Sequence, residues 1–219
     1  MITSYNVNRQ AAQKVAGFTG IDSTGKYIGV ITQCEIAESK SGATYIELAF
    51  KAKRWMEKVG EEIQPECEGD KMAFIKLFIT SKTGERTFGA DILDALMVVC
   101  HVDSFVTQAM KVYNRDNTSR QGFRIPALEK QLVGFLLQRE NRKYIDQYGV
   151  EKEVFQMNII TPFDQATGKC AKEIIEGSEA KIVDNKLRTL KDKPAKPLQN
   201  AAQGAKPYDD APPLTDAPF

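Results

Sequence analysis

The chain has 219 residues, with 30 Lys and Arg against 29 Asp and Glu, one His and 42% hydrophobic residues. This suits one globular domain with an appendage and excludes a strongly polybasic, histone-like nucleic-acid binder. The near-zero charge is unevenly spread, since residues 200–219 carry Lys206 against Asp209, Asp210 and Asp216, leaving a mildly basic body and an acidic tail.

A short helix-compatible stretch over residues 8–16 precedes Gly17 and Gly20. From Lys26 the period changes to two: Ile28, Val30, Cys34 and Ile36 alternate with Tyr27, Gly29, Ile31, Gln33 and Glu35. Residues 39–42 supply a turn, after which Thr44, Ile46, Leu48 and Phe50 alternate with Tyr45, Glu47, Ala49 and Lys51. The pattern predicts a long antiparallel hairpin with one core face. Residues 51–70 read as a polar, partly acidic connection. A third strand follows over residues 71–79, with Ala73, Ile75, Leu77 and Ile79 on one face and Met72, Phe74, Lys76 and Phe78 on the other.

Apolar residues at helical offsets predict a helix over residues 91–101. Residues 104–148 are the most basic part of the chain, and within them residues 131–138 read as a strand. Residues 141–149 read as a polar loop and residues 153–160 as the next strand. Residues 171–191 look helical but are interrupted by Gly177, and from residue 191 the Pro-, Ala- and Asp-rich chain is expected to be disordered. Strand, strand, strand, helix, strand, strand is the element order of an OB-fold, a five-stranded Greek-key β-barrel. The expectation is therefore a mainly β chain with an OB-fold, a helix between strands three and four, and C-terminal helical additions.

Several chemistries find little support. Residues 20–26 match the first seven positions of a phosphate-binding loop, but Tyr27 replaces the required Ser or Thr and a strand follows instead of a helix. The single imidazole, His101, gives a catalytic triad little to build on. Cys34, Cys67, Cys100 and Cys170 form no Cys-x-x-Cys pair, and Glu61, Glu62, Glu66, Glu68 and Asp70 fit no calcium-loop spacing. Neither a metal, a cofactor nor an enzymatic activity is expected. No apolar run reaches the roughly 20 residues that span a bilayer, and no secretory leader is evident, so a soluble intracellular protein without a membrane partner is expected.

The positive signal is aromatics interleaved with bases, which single-strand binders use for stacking and phosphate neutralisation. Tyr45 and Lys51 share the outer face of strand two, Lys53 and Trp55 continue it, and Phe74, Lys76 and Phe78 lie on the neighbouring strand. Arg120, Phe123 and Arg124, then Arg142, Lys143 and Tyr144, place the same mixture in two loops.

The tail ends in Asp209, Asp210, Asp216, Pro218 and Phe219, and this resembles the acidic tip of bacterial single-stranded-DNA-binding proteins, where aspartates precede a terminal Pro-Phe. Residues 24–31, 39–43 and 46–50 resemble the opening hairpin of single-stranded-DNA-binding proteins of tailed phages. The resemblance covers about residues 20–100. It implies a domain over residues 1–192, an OB-fold with N- and C-terminal extensions, that coats single-stranded DNA in the cytoplasm of a bacterial host. It also implies a tail over residues 193–219 that docks replication or recombination proteins, and it leaves homo-oligomerisation open.

Overall fold

The computed structural model describes residues 19–195 apart from Asn117 and Gln147. The helix expected over residues 8–16 and the acidic tip lie outside the described residues. The chain is mainly β. Its elements are β1 (Thr19–Gly20), β2 (Gly25–Glu38), β3 (Thr44–Val59), β4 (Glu62–Ile63), β5 (Cys67–Phe78), α1 (Phe88–Val99), β6 (Gln108–Tyr113), β7 (Ser119–Arg124), β8 (Leu132–Ile145), β9 (Glu151–Asp164), α2 (Ala171–Glu176) and α3 (Ile182–Thr189).

β2 organises the sheet. One edge pairs with β3 along its length, while the other pairs first with β8, from Gly25 to Val30, and then with β7, at Glu35 and Ile36. β5 extends the sheet beyond β3, β9 beyond β8, and β6 beyond β7, all antiparallel. The strands pair along the path β5-β3-β2-β8-β9, but no ladder joins β9 back to β5, so the expected five-stranded barrel is not closed. The sheet is open there, and α1 packs against both strands.

The core lies between the sheet and α1. Ile46, Leu48 and Phe50 of β3, Ile75 of β5, Leu96 of α1 and Phe135 of β8 are essentially inaccessible, and Phe50 meets Phe135 edge-on at 4.8 Å between centroids. A second cluster, Leu136, Phe163, Cys170, Val183 and Leu187, fixes α3 to the β8–β9 hairpin. Cys34 is buried in the main core, Cys100 packs against it, and all four cysteines are free.

The strict alternation expected along β2 is broken. β2 residue Ile31 pairs with Phe50 and Gln33 with Ala49, so Thr32 is an extra residue, a β-bulge. Before it Tyr27 and Ile31 face the core; after it Cys34 and Ile36 do. The expected inward set is thus correct only past Thr32. β3 keeps its phase through Phe50, and β5 turns Ala73, Ile75 and Leu77 inward as expected.

Residues 51–70 are not a polar connection. β3 runs on to Val59 and β5 starts at Cys67, and the ladder between them carries charged side chains that pair across it: Lys51 and Lys53 with Asp70, and Arg54 with Glu66. The β6–β7 hairpin was not expected at all. It converts the supposed loop holding Arg120, Phe123 and Arg124 into a strand. Likewise Arg142, Lys143 and Tyr144 lie on β8, which continues to Ile145.

The phosphate-loop match at residues 20–26 leads into β2, and Lys26 pairs with Asp184 of α3 at 2.8 Å. Gly177, at φ 66°, closes α2 in the left-handed region. Beyond α3, the Lys193 N–H donates to the Arg139 carbonyl at 2.9 Å, and the Asn141 N–H donates to the Lys193 carbonyl at 2.9 Å. The chain expected to be disordered from residue 191 is thus laid along β8 at this point. Among the described residues no helix is long and apolar enough to cross a membrane.

Candidate nucleic-acid interface

The outer face of the β3–β5 ladder is where aromatics and bases meet. Directly opposed pairs are Tyr45 with Phe78, Glu47 with Lys76, Ala49 with Phe74 and Lys51 with Met72. Since alternate residues share a face, the inward aliphatic set forces this outer set into one patch. The rings of Tyr45 and Phe78 are 5.6 Å apart at a tilt of 53°, and the Lys76 ammonium sits 4.5 Å from the Tyr45 centroid. Phe78 keeps 38% of its surface exposed.

The β6–β7 hairpin arches over this face. Its body docks on the outward residues of β2: the Gln33 amide donates to the Tyr113 carbonyl at 3.1 Å, and the Tyr113 N–H donates back to Gln33 Oε1 at 2.9 Å. Arg120 makes a bidentate bond to Glu35 at 2.6 and 2.7 Å. The approach is tight enough to need Gly122, where a Cβ would stand 2.5 Å from Glu35 Oε1. At the hairpin tip, Arg115 reaches over β3 to the Phe74 ring, 5.2 Å from its centroid, and donates to the Phe74 carbonyl at 3.3 Å.

The cations of the patch are held by carboxylates. Hydrogen bonding to Glu35 raises the Arg120 pKa, and hydrogen bonds from Lys53 and Lys51 lower that of Asp70. Lys76 and Arg115 each stand 4.0 Å from Glu47. Each cation of the patch is thus held in place by a carboxylate of the same face. No protein-family model and no curated protein matches the chain.

Of the sequence-derived site residues, Tyr45, Lys51, Phe74, Lys76, Phe78 and Arg120 come together on or beside this face. Trp55 does not. In the ladder with β2, Lys53 is an extra residue between the partners of Ile28 and Gly29, and this bulge turns Trp55 to the face of its partner Tyr27. There it packs on the core beneath the Lys71 ammonium, 5.0 Å from its ring, where the buried Tyr27 is hydrogen-bonded to the half-buried Glu57–Lys71 pair. Burial first, and then the Glu57 carboxylate, push the Tyr27 hydroxyl pKa far upward.

Arg124 is bonded to Glu129 at 2.6 Å through both Nε and Nη2, a bridge that ties β7 to the turn before β8. Phe123 is exposed on β7, opposite Ile36 and Ala109. Arg142, Lys143 and Tyr144 lie on the far arm of β8. That arm leaves β2 at Gly25, whereas Tyr45 pairs near the other end of β2, at Ala37. Arg142 is 3.5 Å from Glu140 and Lys143 is 2.7 Å from Glu151. The terminal Asp209, Asp210, Asp216, Pro218 and Phe219 lie outside the described residues.

Arg115 and Glu47 were missed as site residues by sequence reasoning. Arg115 is invisible unless the β6–β7 hairpin is recognised, although the polar tip around Asn114–Asp116 between two valine- and phenylalanine-bearing stretches is a usable turn signal. Glu47 was placed on the correct face, but an acid is not sought on a nucleic-acid surface.

Proposed function

We propose that this chain binds and coats single-stranded DNA without strong sequence preference, as an OB-type protein serving phage DNA replication, recombination or repair in the bacterial cytoplasm. The observation that carries the reading is the outer face of β3 and β5, where Tyr45, Phe78 and Phe74 surround Lys76 and Arg115 reaches over from the β6–β7 tip. Stacking on such rings is worth about 1–3 kcal/mol per base and tolerates any base, while the cations neutralise phosphates. The OB reading draws support from the strand path β5-β3-β2-β8-β9 and from α1 at the seam between β5 and β9. The face of the second and third barrel strands is where that fold takes oligonucleotides.

The protein acts by stoichiometric binding, with no reaction of its own. The acidic tip, through Asp209, Asp210, Asp216, Pro218 and Phe219, recruits a replication or recombination partner: the carboxylates steer the approach and the terminal ring fills an apolar pocket.

A titration of fluorescent poly-dT at two salt concentrations tests the reading, with duplex DNA as the competitor. Single strands are expected to bind far more tightly than duplex. If Lys76, Arg115 and Arg120 neutralise phosphates, log K falls with log salt at a slope of about −2. Equal binding of duplex, or no salt dependence, refutes the reading. Deleting residues 209–219 is expected to leave DNA binding intact while abolishing partner capture.

A further inference from the structure

Glu47 lies in the middle of the aromatic face, one pleat from Tyr45, directly opposite Lys76 on β5 and directly opposite Glu35 on β2. About a fifth of its side chain is exposed. Among the described residues, no group donates a hydrogen bond to its carboxylate, and the cations nearest it, Lys76 and Arg115, form ion pairs with it at 4.0 Å. Glu35 beside it is different: it is buried and bound at both oxygens by Arg120.

Two carboxylates directly opposed across a ladder repel one another. Glu35 is compensated by its bidentate partner and Glu47 by the Lys76 and Arg115 cations at 4.0 Å, with Arg120 adding to the same field, but neither oxygen of Glu47 accepts a hydrogen bond from a described residue. What the position offers is an acceptor with open lone pairs between two stacking rings, Tyr45 before it and Phe74 across from Ala49, at the depth where the edge of a stacked base would lie.

We propose that Glu47 reads that edge, accepting a hydrogen bond from the exocyclic amino group of cytosine or adenine and discriminating against thymine and uracil. A carboxylate accepts from cytosine N4, whereas thymine presents a carbonyl oxygen at the same position and meets the carboxylate with lone pairs on both sides. Lys76 and Arg115, at 4.0 Å, hold the charge on the face without consuming its acceptor sites. The result is a bias in base composition on a surface whose stacking and phosphate contacts accept any base. This inference rests on the proposed nucleic-acid interface and adds the residue that chooses among bases.

The test compares dC and dT oligomers of equal length, two pyrimidines of similar ring size, titrated onto the full chain at mildly alkaline pH, where cytosine stays neutral. The expected result is about fivefold tighter binding of dC, the lower end of what a specific edge contact gives. In Glu47→Gln, whose amide both donates and accepts, that preference is expected to collapse to less than about twofold, mainly because dT binds better. Equal affinity of the wild-type chain for dC and dT overturns the proposal while leaving the interface standing. A preference that survives Glu47→Gln also overturns it, since another residue then reads the base. Failure of both oligomers to bind overturns the interface and the proposal with it.

Discussion

Tyr45 and Phe78 are directly opposed on the β3–β5 ladder, with ring centroids 5.6 Å apart and planes tilted by 53°. A tilted pair brings the edge of one ring toward the face of the other and contributes about 0.5–1.5 kcal/mol beyond area burial. The pair does not belong to the core, because Ile46 and Leu77, one residue along each strand, point inward. It is an outer-face pair braced by Lys76, whose ammonium lies over the Tyr45 ring, and Phe78 keeps 38% of its surface exposed.

Truncating these rings separates binding from folding. Tyr45→Ala and Phe78→Ala are each expected to weaken dT binding by about tenfold, within the range of one lost base stack. Their cost to stability is expected to stay near 1 kcal/mol, because Phe78 is more than a third exposed. Fluorescence titration and urea unfolding of the same preparations measure the two effects.

Trp55 is expected to behave in the opposite way. Its ring packs on the core and lies beneath Lys71, and the Gly69 Cα comes so close that a Cβ there would stand 3.0 Å from the indole. Trp55→Ala is expected to cost about 3 kcal/mol in urea unfolding, as for a large aromatic truncated in a packed site. The dT affinity of the folded fraction is expected to change less than twofold. A tenfold loss would return Trp55 to the interface.

The contrast between these rings marks where the sequence stops being legible. Alternation placed Tyr45, Phe74, Lys76 and Phe78 together because each strand keeps an unbroken period of two between residues 44 and 51 and between residues 72 and 78. It misplaced Trp55 because one extra residue, Lys53, reverses the phase, and a bulge carries no composition signal when the residues around it are polar on both faces. The same reversal at Thr32 scrambled the faces of β2. The long β3–β5 and β8–β9 arms were read as loops because their ladders are stabilised by ion pairs such as Lys51–Asp70 and Lys143–Glu151, so their charged composition imitates a solvated connection. The β6–β7 hairpin escaped for a related reason: of the residues in its two strands only Val112 is deeply buried, so almost no hydrophobic alternation marks it.

The hairpin depends on Arg120. Its guanidinium neutralises Glu35, whose side chain is 3% exposed, while Arg120 itself remains 45% exposed. Arg120→Met leaves a carboxylate buried without its partner, at an expected cost of about 2–3 kcal/mol, reduced from the fully buried case because water reaches the arginine side. Combining it with Glu35→Gln is expected to recover most of that loss, because the buried charge is then gone. A double-mutant cycle in urea measures the coupling.

Acid sensitivity is expected to concentrate at the α2–α3 corner. The Glu173 side chain is almost inaccessible, and burial opposes its charge. N–H donors from Lys181, Ile182 and Cys170 at 2.6, 2.7 and 2.9 Å outweigh that penalty and hold its pKa at about 2, against 4.5 for an ordinary glutamate. The folded state therefore favours the deprotonated form more than the unfolded state does. The corresponding stability is complete above pH 4.5 and disappears as the pH falls toward about 2. Allowing for solvent screening, it amounts to about 2 kcal/mol. Glu173→Gln is expected to lower stability at neutral pH, because its one oxygen can accept only on one side while its NH2 confronts an N–H on the other, and to flatten the decline below pH 4.5, because the amide does not titrate. Urea unfolding across that range compares the slopes; an equally steep acid decline in the variant would place the sensitive carboxylate elsewhere.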